Sequence, residues 1–186
     1  ITSGQTVIDG LIIEDYRENH VKEPLERRGF DSNMWIWEYP DYSKDYVLSA
    51  DVSRGDGSDF SAFHVLEIES MKQVAEYKGK LGTKDFGNMC VSVATEYNKA
   101  LLIVENNNIG WSAIQTIIDS EYPNIFYTSK DLMYVDTSKQ MTNRYRSQDR
   151  NMVPGFSMTT KTRPLVIAKL EEYFRILENS MVETGY

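Results

Sequence analysis

The sequence is poor in the residues that staple small proteins or bind soft metals. It has one cysteine, Cys90, and two histidines, His20 and His64, in 186 residues. A lone cysteine excludes an internal disulfide framework and any multi-cysteine zinc site. No apolar run approaches the roughly 20 residues that a membrane span needs. The opening ITSGQTVIDG lacks the pattern of a signal peptide, so the expectation is a reduced, intracellular, soluble domain. No GxSxG elbow, HExxH or CxxC occurs. Gly79-Lys80-Leu81-Gly82-Thr83-Lys84 lacks the spacing of a phosphate loop and reads as a β-to-α turn. Positive charge is also scarce: the net charge is −8, which argues against coating nucleic acid by bulk electrostatics.

What is present is an ordinary globular composition, 41% hydrophobic and 26% charged. A chain of this length buries roughly 70% of its unfolded surface and folds without a metal or disulfide. Residues 1–44 read as a lead-in or linker segment packing on the core, with a short helix near 13–28 and a strand near 34–38. Trp35 and Trp37 flank Ile36, so as a strand they share one side, and covering a sheet face is a better reading than binding. The organised domain is expected over 45–186. Residues 46–52, 60–69 and 73–78 are β-prone, with Asp56-Gly57 marking a hairpin between the first two. The period then changes. Residues 84–97 carry apolar side chains at helical spacing behind Thr83 as N-cap, 100–104 form a continuous apolar strand, and 110–121 return to helical spacing. Residues 124–128 read as a short strand and 129–160 as a loop or flap. Thr162 is the expected cap of a last helix with Pro164 at an early position. Three meander strands followed by alternating helix and strand give an α/β mixed sheet flanked by helices.

Three carboxylates stand out. Asp51 sits inside a core strand, where aspartate is disfavoured. Glu105 stands where ALLIV stops, at the carboxyl end of another strand, the place where such sheets gather their ligands. Asp59 follows the hairpin and is able to return toward Asp51. If the two strands are neighbours, like charges converge with no adjacent lysine or histidine, and their repulsion calls for a cation between them. Oxygen-only donors select hard divalent ions, Mg²⁺ or Mn²⁺. The plainer alternatives are an N-cap role for Glu105 and Asn106–Asn108, and a turn-closing role for Asp59.

ADVSRGDGSDFSAFHV (50–65), LLIVENNNIGWSAIQ (101–115), NMWIWEYP (33–40) and TKTRPLVI (160–167) together resemble the nuclease domain of the large terminase subunit of tailed bacteriophages, of the headful-packaging myovirus type. The resemblance implies a ribonuclease H-like fold and a divalent-metal-dependent endonuclease that cuts concatemeric double-stranded DNA, with little sequence specificity, as packaging starts and ends. It implies that Asp51 and Glu105 are catalytic metal ligands of a two-metal site, with Asp59 at an auxiliary acidic position. It also implies a third aspartate from a Gly-Tyr-x-Asp-Asp motif, which would begin where ETGY ends at Tyr186; residues are therefore expected to be missing there and near 175–183. Residues 139–163 are net +5, and Arg144, Arg146, Arg150, Lys161 and Arg163 are the expected DNA contacts. The implied partners are an ATPase domain earlier in the same polypeptide, a small terminase subunit and the portal of the procapsid, in the host cytoplasm. Two alternatives stay open: a junction resolvase or integrase-type nuclease of the same fold, and a non-catalytic docking module.

Overall fold

A computed structural model describes residues 8–129 and 151–184, with side chains to Tyr173. The chain divides into two compact units, residues 24–158 and residues 1–23 with 159–186. The larger unit is built on a six-stranded sheet: β1 (Glu26–Arg28), β2 (Met34–Ile36), β3 (Tyr46–Asp51), β4 (Ser61–Glu67), β5 (Gln73–Gly79) and β6 (Leu101–Val104), in the order β1-β2-β5-β4-β3-β6. The expected meander β3-β4-β5 is antiparallel throughout, and β6 joins β3 in parallel. Helix α2 (Thr83–Glu96) makes the crossover from β5 to β6, and α3 (Gly110–Asp119) follows β6. This is the mixed, helix-flanked α/β sheet expected from the sequence.

Side-chain alternation decides which face is closed. Leu48 and Ala50 of β3, Phe63 and Val65 of β4, Ala75 and Tyr77 of β5, and Leu102 and Val104 of β6 are buried. Phe63 stacks on Tyr77 at 5.5 Å, and both rings meet Phe86 of α2 at 6.2 and 6.0 Å. Such offset and tilted aromatic contacts add to the area they bury. The other face of the same strands is more open. It carries the register row Trp35, Glu76, His64, Ser49 and Ile103 across β2, β5, β4, β3 and β6. His64 is exposed there and faces Gln73 and Glu76. Trp35 and Trp37 lie half-buried on one side, edge to face at 6.0 Å, while Met34 and Ile36 enter the core.

Several boundaries differ from expectation. The helix expected over 13–28 is a short one, α1 (Gly10–Asp15), continued by a wider turn at Tyr16–His20. Residues 26–28 instead form an edge strand, held to α2 where Arg28 meets Glu96 at 2.9 Å. Residues 26–28 and 34–36 thus belong to the sheet itself, within the larger compact unit. Thr83 does not cap α2: its hydroxyl lies 2.8 Å from that of Ser112 on α3. Residues 152–154, within the expected loop, form β8 (Met152–Pro154), which pairs with β7 (Tyr127–Ser129).

In the smaller unit, Thr162 opens the 23-residue helix α4 (Thr162–Thr184). The cap is reciprocal, because the Thr159 hydroxyl accepts from the Thr162 amide at 3.1 Å and the Thr162 hydroxyl from the Thr159 amide at 2.7 Å. Thr159 thus takes the cap position expected of Thr162, and Thr162 is its partner three residues into the helix. Among the described residues, no helix is long and apolar enough to cross a membrane.

Candidate metal and nucleic-acid site

Strands β3, β5 and β6 all run toward the same edge of the sheet, where α2 and α3 begin. Asp51 is the last residue of β3 and is exposed. The register Ala50↔Val104 and the bond from the Glu105 amide to the Ala50 carbonyl (3.0 Å) carry the pairing one step further, to Asp51 and Glu105. Their backbones are therefore lateral neighbours, about 4.8 Å apart. Because Ala50 and Val104 are buried, alternation puts both carboxylates on the open face. Among the described residues the Asp51 side chain has no ion pair or hydrogen bond. The strand adjacency on which the sequence argument depended is present.

The residues after Glu105 do not cap α3. The cap position is Ile109, without a side-chain bond. The asparagines perform another task. Asn106 is buried; its amide nitrogen donates to the Pro154 carbonyl at 3.0 Å, its oxygen accepts from the Ser157 hydroxyl at 2.8 Å, and its main-chain N–H donates to the Phe156 carbonyl at 3.0 Å. Asn107 donates to Glu105 Oε1 at 2.5 Å and to the Met158 carbonyl at 2.9 Å, which orients the carboxylate against a fixed segment. Two glycines make this possible. A Cβ at Gly110 would lie 1.8 Å from the Glu105 carbonyl oxygen. Gly155, at φ +85°, brings residues 154–158 so close that a Cβ there would meet the Val104 oxygen at 2.5 Å. Asn106, Asn107 and Gly155 were not singled out as site residues; the run of three asparagines and the Pro-Gly pair were the available signals.

Asp59 stands in the β3–β4 loop, exposed. Its main-chain oxygen accepts from the Ser53 hydroxyl at 3.2 Å, and that hydroxyl also faces the buried Ser61. Gly55, at φ +80°, presses the loop onto the β5–α2 turn, where a Cβ would lie 2.5 Å from the Leu81 carbonyl oxygen. Among the described residues, no group of three or more of His, Cys, Asp and Glu is placed to hold a metal ion. The pair offers a hard, anionic, two-carboxylate donor set, which fits a divalent ion whose remaining positions are filled by other oxygen donors. Arg144, Arg146 and Arg150 lie outside the described residues. Lys161 and Arg163 are exposed where α4 begins. Cys90 is fully buried and its thiol is pushed up by desolvation, so it is not a nucleophile.

No protein-family model matches the sequence. No curated protein matches it either. Solved structures do match by fold. The large terminase nuclease from thermophilic phage G20c with bound cobalt superposes with a TM-score of 0.56 at 13% identity, covering 83% of this chain and 64% of that one. The same nuclease with bound magnesium gives 0.56 and 13%, covering 83% and 65%. The present chain thus spans less than two thirds of the length of these nucleases. The resemblance read from the sequence holds in three dimensions: this chain has a fold similar to that of large terminase nuclease domains, a ribonuclease H-like mixed sheet flanked by helices.

Proposed function

We propose that this chain is a divalent-metal-dependent DNA endonuclease of a viral packaging motor, cutting concatemeric double-stranded DNA with little sequence preference as packaging begins and ends. The observation that carries the reading is the side-by-side placement of Asp51 and Glu105 at the carboxyl ends of β3 and β6. Two carboxylates placed there without a protein cation beside Asp51 are stable neighbours when a metal lies between them. The bound cobalt and magnesium of the G20c nuclease, a protein of similar fold, support the same reading.

In this reading Asp51 and Glu105 are the protein ligands of Mg²⁺ or Mn²⁺ in a two-metal site and Asp59 is an auxiliary carboxylate. When bound there, divalent ions would supply an activated water and charge stabilisation for the leaving 3′ oxygen of an in-line displacement. The chain's own residues fix that arrangement. Asn107 holds the Glu105 carboxylate in one orientation, and Asn106 with Gly155 holds the segment on which Asn107 leans. The basic residues Arg144, Arg146, Arg150, Lys161 and Arg163 contact the phosphate backbone, which positions DNA without reading its sequence. The partners are an ATPase domain in the same polypeptide, a small terminase subunit and the procapsid portal, in the host cytoplasm.

Supercoiled plasmid incubated with Mn²⁺, Mg²⁺ or a chelator tests the reading directly. The expected result is nicking and linearisation in the presence of metal, and none with Asp51→Asn or Glu105→Gln, while both variants keep the wild-type circular dichroism. Mn²⁺ binding, followed by the loss of its free-ion spin-resonance signal, is expected for the wild type and weakened in both variants. Unfolding of either variant, or Mn²⁺ binding indifferent to both, would sink the metal site.

A further inference from the structure

The same end of the sheet carries a second group of side chains, built around an exposed aromatic ring. Lys78 Nζ and Lys80 Nζ each lie 5.0 Å from the centre of the Phe60 ring, which is 45% exposed. The register explains the grouping. Ala62 pairs with Lys78 and Ser61 with Gly79, so one step further Phe60 stands opposite Lys80, and all of Phe60, Ala62, Lys78 and Lys80 lie on one face. Ser61 and Gly79 between them are buried on the other face. Asp51 pairs with Ala62, so the face with the lysines is the one that carries Asp51 and Glu105.

Across four neighbouring strands the row therefore reads Glu105, Asp51, Ala62, Lys78. Lys78 is two strands from Asp51, or about 9.5 Å between backbones. At about 3.4 Å of rise per nucleotide, that distance is covered by about three nucleotides of one DNA strand. The intervening Ala62 is small and raises nothing above the sheet.

Two ammonium groups held over one ring repel each other. The quadrupole of the ring compensates in part, yet neither lysine has a carboxylate within ion-pair distance among the described residues, in a chain with 28 acidic side chains. The lysines elsewhere on this sheet behave differently: Lys72 and Lys44, at the opposite end, both reach Glu38. A pair of cations without a carboxylate partner, held on one aromatic ring beside the candidate metal-binding carboxylates, has the complementarity of an anionic chain that passes from one to the other.

We propose that Lys78 and Lys80, ordered by Phe60, bind backbone phosphates of the DNA strand next to the bond that is cut. The lysines are binding residues, and Phe60 is a positioning residue acting through them. The placement rests on the nuclease reading above for the location of the cut, but its test does not.

The test is fluorescence anisotropy of a short labelled duplex with the full chain, metals chelated, over a series of salt concentrations. For Lys78→Ala/Lys80→Ala the slope of log K against log[salt] is expected to become shallower by about 1.8, two contacts at about 0.9 each. Lys72→Ala should leave the slope unchanged. Phe60→Leu should give an intermediate slope and Phe60→Tyr should restore it, a pattern that loss of bulk charge does not produce. A wild-type slope in the double variant, a fall in Lys72→Ala as large as that in either single lysine variant, or no measurable binding by the wild type would each overturn the platform. Plasmid cleavage reports separately. Metal-dependent cutting with an unchanged salt slope removes the platform and keeps the nuclease, whereas a shallower slope without metal-dependent cutting removes the nuclease and keeps the platform.

Discussion

The two faces of the central sheet are made from the same strands and obey opposite rules. On β3, Leu48 and Ala50 are buried, while Ser49 and Asp51, one residue away in each case, are exposed. On β6, Leu102 and Val104 are buried and Leu101, Ile103 and Glu105 are only partly so. The closed face is continuous and apolar, with aromatic rings of β4, β5 and α2 in mutual contact. The open face carries, at one end, Asp51 of β3, Glu105 after β6 and the lysines at the end of β5. A sheet rigidified from one side holds side chains on the other side in fixed register, which is what a metal site and a phosphate platform both need. Packing resides on one face and the candidate site on the other.

That division can be broken from either side. The largest effect is expected for Asp51→Asn, with cleavage falling below detection in the plasmid assay while the thermal midpoint stays at or above that of the wild type, since a like-charge repulsion is removed. On the closed face, Phe63→Ala should cost about 3–5 kcal/mol in urea unfolding, because it leaves a cavity between Tyr77 and Phe86. A small loss there would mean that the aromatic layer repacks, and would weaken the contrast. Asn107→Ala tests the join between the faces. It frees the Glu105 carboxylate without touching the core, and metal affinity or cleavage should drop by about 10–100-fold, as for other groups that orient metal ligands, with little change in the melt.

The smallest effect concerns Glu67, at the opposite end of β4 from the candidate site. The Ser70 hydroxyl bonds its carboxylate, as do the amides of Glu69 and Ser70, at 2.8 and 3.0 Å. These bonds hold its carboxyl below the usual range against the opposing effect of burial. A group lowered on folding stabilises the native state above its unfolded value, and that stability is lost as pH falls through the lowered native value. Glu67→Gln should therefore flatten the acid side of the stability curve and leave cleavage near neutral pH unchanged. Urea titrations at several acidic pH values measure the first and the plasmid assay the second.

Much of the arrangement was legible in order of appearance. The period-2 runs at 46–52, 60–69 and 73–78 correspond to β3, β4 and β5, and the change of period at residue 84 to α2, because local alternation reflects a half-covered sheet and a helix packed on it. Asp51 and Glu105 were conspicuous as charges at the ends of apolar strands, and the register then placed them side by side. Residues 26–28 and 152–154 were not legible as strands. Each is three residues long and rests on a segment distant in sequence, β1 on a hairpin with β2 that is itself fixed by β5, and β8 on β7. The tasks of Asn106 and Asn107 were equally hidden. Their partners at Pro154, Ser157 and Met158 lie some fifty residues further along the chain, so local propensity could report only turn formers.

The lysine platform shows the same limit. Lys78 and Lys80 alternate along β5 like any solvent-facing pair, and Phe60 reads as the first residue of a strand. Only the antiparallel register of β4 against β5 brings both ammonium groups within 5.0 Å of one ring centre, and only the parallel pairing of β3 with β6 sets that group beside two carboxylates. By itself the sequence determined the kind of sheet and the order of its central strands and helices, and it singled out Asp51 and Glu105 as candidates, since these follow from hydrophobic period and from the cost of charge inside a strand. Tertiary structure decided which charges are neighbours, which asparagines hold them and which face stays open, because register and long-range hydrogen bonds are properties of paired strands that no single segment contains.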